Sequence, residues 1–559
     1  MGPYIEESLL SWLVFTPMAT ALLLLASGAV GELAFRSKGL PAEVWRAIAM
    51  GGTLLTLLFA SRVWGSFDPE LTGYQLIERG EWLPSLGVHY FVGIDGISLV
   101  LVSTTAFLMP VVLLATWNEV GRALKSYVVF LLFLETSMLG AFVSLNLFQF
   151  YVFWELMLVL MYFVIVVWGG PRRVQAATKF FLFTLLGSLL MLVALLVVHQ
   201  LNFEQGGVPN FDLVTLPGGE GLGLLETLIP LGGASGDGAV WWKTQLWLFL
   251  ALGMAFAIKV PLVPLHGWLP DAHSEAPTAG TVALAAVLLK VGAYAFVRIA
   301  LPLFPAASFT LTPIILTLAL VGVVYGSLLA LVERDLKRLV AYASLANMGL
   351  IVVGVFAGNL HGMTGAVVQM VSHALCVAAL FLLVGFIQER RGTRELSELG
   401  GLARPMPVFA ALFGVVLLAN MGLPFSSGFV GELLILLGSF RAGPAVAVTA
   451  AAGMVLAVAA LLRLYRGVLL GPLENPENRR LIDLDLRERV AVLALIVPVL
   501  WIGVYPNPIL RRVEPSVSML LQSVERHRNA ALESAARAMA EADAAAAEGE
   551  PEPGAEGVD

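Results

Sequence analysis

Apolar runs close to twenty residues long recur through most of this chain, and they restrict its fold more than any other feature. A hydrocarbon layer about 30 Å thick is crossed by about 20 residues of helix, and lipid offers no partner to a free backbone amide, so such runs must close their hydrogen bonds internally. About fourteen can be marked, at residues 8–27, 42–62, 95–116, 126–145, 147–169, 177–199, 242–263, 275–300, 309–332, 337–357, 361–387, 406–439, 444–466 and 488–505. The expected fold is therefore an all-α polytopic membrane protein with about 14 transmembrane helices. Charged residues make up 13% of the 559 positions, against about 25% in soluble domains, which excludes an ordinary cytosolic protein. The first run lacks a basic preceding segment and a small-residue cleavage site, so it reads as an anchor helix and not as a removable signal.

Basic loops stay cytoplasmic, so alternate loops give an orientation. One set holds Arg36, Lys38, Arg122, Lys125, Arg172, Arg173, Arg334, Lys337, Arg338, Arg390, Arg391, Arg394, Arg479 and Arg480, whereas the other holds little beyond Arg79, Lys243 and Arg441. This places both termini on the outer face, which an even number of spans satisfies. The net charge of −7 resides in the last nineteen residues, where Glu541, Asp543, Glu548, Glu550, Glu552, Glu556 and Asp559 stand without a base. That tail reads as a disordered solubilising segment, and the balanced remainder excludes a basic nucleic-acid binder. Cys376 is the only cysteine, so this chain by itself can build neither a disulfide framework nor an iron–sulfur cluster.

An ionisable side chain near the bilayer centre costs about 2.5 to 3.5 kcal/mol, so each needs a partner, water or a purpose. Four stand inside the runs: Glu155, Lys259, Lys290 and Glu432. One such residue is explained equally well by a buried ion pair that orients helices; four on separate spans strain that explanation. Pro261 and Pro264 follow Lys259 and should break the seventh helix inside the membrane, and Gly422, Pro424 and Gly428 interrupt the twelfth run just before Glu432. Two broken spans, each beside an ionisable group, point to a transporter built from inverted repeats. Glu135, Lys179, His266, His273, Asn347 and His373 add polar groups to the interior; singly each suits a packed, hydrogen-bonded role, together a wet path. His266 and His273 lie seven apart with Pro270 between, which suits no metal, and neither a GxGxxG turn nor a Walker loop is present.

These residue types permit proton handling. Burial favours the neutral form of a lysine, a neighbouring carboxylate favours its charged form, and moving one relative to the other loads or unloads a proton. Glu155 with Lys259 fits that switch, with Lys290 as the next carrier and Glu432 as the last. The energy must come from a partner protein or an ion gradient, since this chain carries no redox group of its own.

The segments FVGIDGISL (91–99), FYVFWELMLVLMYFVI (150–165), AATKFFLFTLLGS (176–188), KVPLVPLHGWLPDAHSEAPTAGTVALAAVLLKVGAY (259–294), ERDLKRLVAYAS (333–344) and MVSHALCVAALF (370–381) strongly resemble the antiporter-like membrane subunits of respiratory complex I, the NADH:quinone oxidoreductase. Glu432 narrows the resemblance to the M-type branch, because the other branches carry Lys there. The resemblance implies a proton path with Glu155 as charge partner of Lys259, Lys290 as central lysine, His373 on the connecting hydrophilic axis and Glu432 as terminal group. It also implies a further carboxylate at Glu135, and two inverted five-helix repeats with helices 7 and 12 broken. Residues 1–125 are then helices 1–3, 126–300 the first repeat (helices 4–8), 301–470 the second (helices 9–13), 471–523 a loop and helix 14, and 524–559 the acidic tail.

Two departures stand out. The tenth helix reads Ala346, Asn347, Met348, Gly349 where the family has Ser-His-Met-Gly, and Asn347 cannot change protonation, so a water must carry the proton there or the lysines must couple more directly. The twelfth break reads GLPFSSGFVGE where a Gly- or Asn-rich turn is commoner. The chain also ends without the long lateral helix of the L-type subunit. The resemblance implies no cofactor in this chain: NADH, FMN, iron–sulfur clusters and quinone belong to partner subunits, and the partners are other membrane-arm subunits, above all other antiporter-like chains, in a bacterial inner membrane. A cation/proton antiporter subunit, a membrane hydrogenase subunit and a non-pumping scaffold are the rival readings.

Overall fold

The computed structural model describes residues 8–35, 41–206, 210–215, 223–227 and 238–548. It is a helical membrane protein, with helices where the apolar runs lie: α1 (Leu9–Phe35), α2 (Ala42–Ser66), α3 (Gly96–Ala115), α4 (Leu124–Val143), α5 (Leu147–Trp168) and α6 (Arg173–Gly206). They are followed by α7 (Gly238–Lys259), α8 (Leu269–Glu275), α9 (Thr278–Leu303), α10 (Pro305–Val332), α11 (Leu336–Phe356) and α12 (Leu360–Arg391). The last are α13 (Pro407–Asn420), α14 (Ser427–Ala442), α15 (Pro444–Leu470), α16 (Leu486–Val504) and α17 (Asn507–Glu548). Among the described residues, eleven helices are long and apolar enough to span a membrane, or twelve if α16 and residues 507–529, bent by 70°, count as one. The expected fourteen is not reached by length and composition. Neither α7 nor the pair α13 and α14 passes that test, and these are the helices that flank the two interruptions.

Local sequence sets the helix ends. Asp95 accepts from the backbone of Ile97 and Ser98 in a capping box at the start of α3, Asn146 caps α5, Asn359 caps α12, and Asp485 with Glu488 forms a second capping box on α16. Gly392 ends α12 in the left-handed conformation that glycine adopts without a Cβ penalty. Close helix contact uses small residues, as expected where lipid removes the hydrophobic incentive to associate. A methyl on Gly365 of α12 would lie 2.7 Å from the Ile435 amide of α14, so only glycine allows this approach.

Helices α9 and α12 form the centre; the former is wholly buried, the latter buried from Gly362 to Ile387. The outer helices turn Leu182, Leu186 and Val193 of α6, Val455 of α15 and Val497 of α16 outward, an apolar surface suited to lipid. The connections between α3 and α4, α5 and α6, α10 and α11, and α12 and α13 gather at one end, which we call the basic end.

The opposite end carries two features that the apolar runs conceal. An antiparallel hairpin, β1 (Gln75–Leu83) with β2 (Val88–Ile94), lies between α2 and α3. Its Glu78 carboxylate accepts from the Leu10 amide (2.7 Å) and from Ser11, fixing the start of α1; burial pushes that carboxyl above the usual carboxylate range while these bonds pull it down. The second feature corrects the expectation for the C-terminal region. Helix α17 continues through residue 524 as far as Glu548, and from Asn507 to Asn529 it lays Ile509, Val513, Val517 and Leu521 along the core. That spacing is a helical stripe with Arg511, Arg512 and Glu514 between, and it supplies the burial that the acidic composition further on does not. Residues 549–559 of the acidic tail lie outside the described residues.

Candidate functional site

Helix α7 ends at Lys259 because Pro261 and Pro264 cannot donate into its ladder. Val260 and Leu262 still donate to Phe256 and Ala257, each at 2.8 Å, and the Trp268 indole N–H donates to the Ile258 carbonyl at 3.0 Å, giving a partner to a carbonyl that the break frees. The lysine is buried, and its ammonium stands 3.6 Å above the Trp154 ring of α5, close enough for a cation–π contact. Glu155 is the next residue on α5. It is an electrostatic neighbour of Lys259, with Ser188 and Tyr151 beside its carboxylate, yet the two charges form no ion pair within 4.0 Å. Trp154 occupies the near position, so the expected charge partner acts at longer range.

Helix α9 runs directly behind this break. A methyl on Gly292 would lie 2.9 Å from Val260 Cγ2 and 3.2 Å from Lys259 Cβ, so glycine lets α9 close on the seventh-helix lysine. Lys290, 1% exposed, sits one half-turn away between two π-helical segments, Leu284–Leu288 and Phe296–Ala300. Its Nζ donates to the Ala285 carbonyl at 2.6 Å and lies 2.7 Å from His373 Nδ1 of α12. Wide helical turns of this kind leave carbonyls without a partner four residues on, and Ala285 uses its own to hold the lysine.

Helix α12 then carries a polar face from His373 back to Gln369, four residues and one turn away. Gln369 Nε2 donates to Asn347 Oδ1 of α11 at 3.0 Å and reaches Glu432 Oε1 of α14 at 3.5 Å, and Ser372 shares a 2.7 Å hydroxyl contact with Ser427. Glu432 lies over the turn between α13 and α14, where Gly422 adopts φ +69° and leaves room for the carboxylate. Beside it is a cavity of about 360 Å³, lined by Ser327, Asn347, Asn420, Gly422 and Glu432 among apolar side chains.

Of the residues singled out from sequence, Lys290 with His373 and Asn347 with Glu432 are therefore brought together, the second pair through Gln369. Lys259 and Glu155 are neighbours across Trp154. Glu135 of α4 is fully buried with neither carboxylate oxygen hydrogen-bonded, and it joins none of these contacts. His273 is likewise fully buried with both ring nitrogens unpartnered, stacked on Phe381 and with Lys290 and Lys337 as its charged neighbours. Lys179 pairs with Asp271 at 2.7 Å, which also takes Arg338 at 2.7 Å, so it belongs to a charge cluster at the basic end.

Sequence reasoning missed Trp154, Gln369 and Lys337. Gln369 was legible as a polar residue within an apolar run, one turn before His373. Lys337 was counted as a loop base, but it is 2% exposed, donates to the Ala276 carbonyl at 3.0 Å and borders a cavity of about 480 Å³ with Glu119, Glu275 and Arg394. Among the described residues no cluster of His, Cys, Asp and Glu could hold a metal ion.

Chemically, Lys259, Lys290 and His373 are buried and Glu155 and Glu432 half-buried, all of them titratable side chains; lysine and imidazole share one hydrogen bond and the last carboxylate lines a cavity. The family model described as NADH:quinone oxidoreductase/Mrp antiporter, TM matches residues 144–458, a stretch that contains Glu155, Lys259, Lys290, Asn347, Gln369, His373 and Glu432 but not Glu135. The NADH-quinone oxidoreductase subunit M of Rhodobacter capsulatus is 41% identical over 539 residues, covering 96% of this chain and 99% of that one. The NADH-ubiquinone oxidoreductase chain 4 of Arabidopsis thaliana is 40% identical, covering 86% and 92% respectively. A chain of respiratory complex I from Thermus thermophilus with bound NADH superposes with a TM-score of 0.79 at 31% identity, over 92% of this chain and 99% of that chain. The chain belongs to the NADH:quinone oxidoreductase/Mrp antiporter membrane family, and within it to the subunit M and chain 4 group.

Proposed function

We propose that this chain is the proton-translocating membrane subunit of an NADH:quinone oxidoreductase, moving a proton when quinone reduction in other subunits shifts its buried charges. The observation that carries this reading is the 2.7 Å contact between Lys290 Nζ and His373 Nδ1, which joins two central helices through groups that both exchange protons. Glu155 biases Lys259, Lys290 receives the proton, His373 passes it along α12, and Glu432 releases it. Between His373 and Glu432 the amides of Gln369 and Asn347 hold geometry but do not titrate, so water must carry that step, and the cavity lined by Asn347 and Glu432 offers room for it at the Glu432 end. Glu135, on a helix of the first repeat, is the further carboxylate of the hydrophilic axis.

In this reading α7 with α8, and α13 with α14, each form one broken span, which gives fourteen spans and two inverted repeats, helices 4–8 and 9–13. The basic end faces the cytoplasm of a bacterium across its inner membrane, and both termini face outward. NADH, FMN, iron–sulfur clusters and quinone are bound by partner subunits, this chain holds no redox centre, and its neighbours are other antiporter-like chains. The test uses inverted membrane vesicles containing the assembled complex. Lys259→Ala and Glu155→Ala should each abolish or strongly reduce NADH-driven proton uptake; uptake at the wild-type level in an assembled complex would favour a structural scaffold.

A further inference from the structure

From Lys290 the α9 helix continues to the hairpin end with Tyr294 and Arg298 at i+4 and i+8, a polar stripe on one helical face, about 12 Å from lysine to arginine along the axis. Such a stripe could lead a proton straight out. Its hydrogen bonds forbid that. The Tyr294 hydroxyl donates its one proton to the Phe142 carbonyl at 2.7 Å and accepts from Arg298 Nε at 3.1 Å. Arg298 Nη1 donates to the Tyr74 hydroxyl at 2.9 Å, and Nη2 stands 2.6 Å from Asp95 Oδ1, a close ion pair without good hydrogen-bond alignment. Asp95 Oδ1 already accepts from the Ile97 amide at 3.1 Å and the Ser98 amide at 2.9 Å. Both charged side chains are 7% exposed.

A proton travels only through groups that can accept one and pass one on. A guanidinium has five donors and no acceptor, and a phenol whose proton rests on a backbone carbonyl has nowhere to send it. We infer that Arg298, held by Asp95, Tyr74 and Tyr294, is a proton seal at the hairpin end of α9, which denies the proton on Lys290 a direct exit and leaves the sideways contact with His373 as its path. The inference rests on the reading of Lys290 as a proton carrier. A purely structural alternative is that the cluster only braces α9 against the hairpin and the start of α3, and it makes a different prediction.

The experiment uses the whole complex reconstituted in liposomes. Three quantities are recorded: the decay of an imposed pH gradient without NADH, NADH-driven proton accumulation, and NADH oxidation with and without a protonophore. Arg298→His replaces a pure donor by a ring that both accepts and donates. It should speed the passive decay several-fold, lower net accumulation and remove stimulation by protonophore, while Arg298→Gln, whose amide does not titrate, keeps the decay near wild type. Combining Arg298→His with Lys290→Met should restore slow decay, because the leak runs through the lysine. Should the histidine variant fail to assemble, Arg298→Lys, which keeps a cation beside Asp95 but can lose and regain its proton, is measured for the same leak. An assembled histidine or lysine variant with wild-type decay, or a leak that survives the loss of Lys290, overturns the seal. Lys290→Met alone that pumps normally overturns the underlying reading instead.

Discussion

Replacing Gly422 by alanine should disable the terminal step without touching an ionisable group. The added methyl would stand 2.0 Å from Glu432 Oε2, and ordinary contact begins at 3.4 Å, so the carboxylate must retreat by about 1.4 Å. The Gln369 contact, already 3.5 Å, would then be lost, and the carboxylate would turn away from Asn347. Alanine at φ +69° adds a backbone cost of about 1–2 kcal/mol. Misplacing a reacting group by about 1 Å can cost about a hundredfold in rate, so proton uptake per NADH should fall at least about tenfold. The assay is NADH-driven uptake in vesicles, with native-gel quantification of assembled complex and a thermal melt to separate the fold from the function. Gly443→Ala is the control: its added methyl would stand 3.7 Å from the nearest neighbour, Val446, so it measures the cost of a mild glycine change at the opposite end of α14. Wild-type uptake by assembled Gly422→Ala complex would refute the placement of Glu432 against this turn.

Three further outcomes are expected. Trp154→Leu removes the ring beneath the Lys259 ammonium, about 2 kcal/mol of interaction when desolvated, and should lower both thermal stability and proton uptake, whereas Trp154→Phe should retain most of each. Gln369→Leu leaves Asn347 Oδ1 without its donor, at a cost of about 1–3 kcal/mol, and should reduce uptake to a degree close to that of Gly422→Ala, because both free the same carboxylate. Asn347→His restores the residue common in the family and should still pump; vesicles in which it collapses pumping would show that the amide has a specific task.

Much of the fold was written in periodicity. Runs of apolar residues place the long helices, and Pro261, Pro264 and Pro424 mark where α7 and α13 stop, because a missing amide donor is visible in the sequence itself. The hairpin was concealed because Gln75–Ile94 mixes charged and aromatic residues between two apolar runs and reads as a loop. Helix α17 was concealed for a different reason: its stripe of Ile509, Val513 and Val517 is too sparse to register as an apolar run, and only a helical period reveals it. The four intramembrane charges were legible from the cost of burying them. Their partners were not, since the nearness of Trp154 to Lys259, and of Gln369 to Glu432, depends on how separate helices pack. Lys337 shows the limit most clearly, as position in a loop between spans suggests solvent, while tertiary packing buries it beneath Glu119 and Arg394.

The most direct measurement is the proton-to-electron ratio of the assembled complex carrying Lys290→Met, reconstituted in sealed liposomes with NADH oxidation and proton accumulation recorded together. The side chain is close in volume, so the helices should keep their packing while the contact with His373 Nδ1 disappears. The expected result is a ratio well below wild type in vesicles that hold an imposed pH gradient normally. An unchanged ratio in fully assembled complex would contradict proton passage through Lys290 and His373.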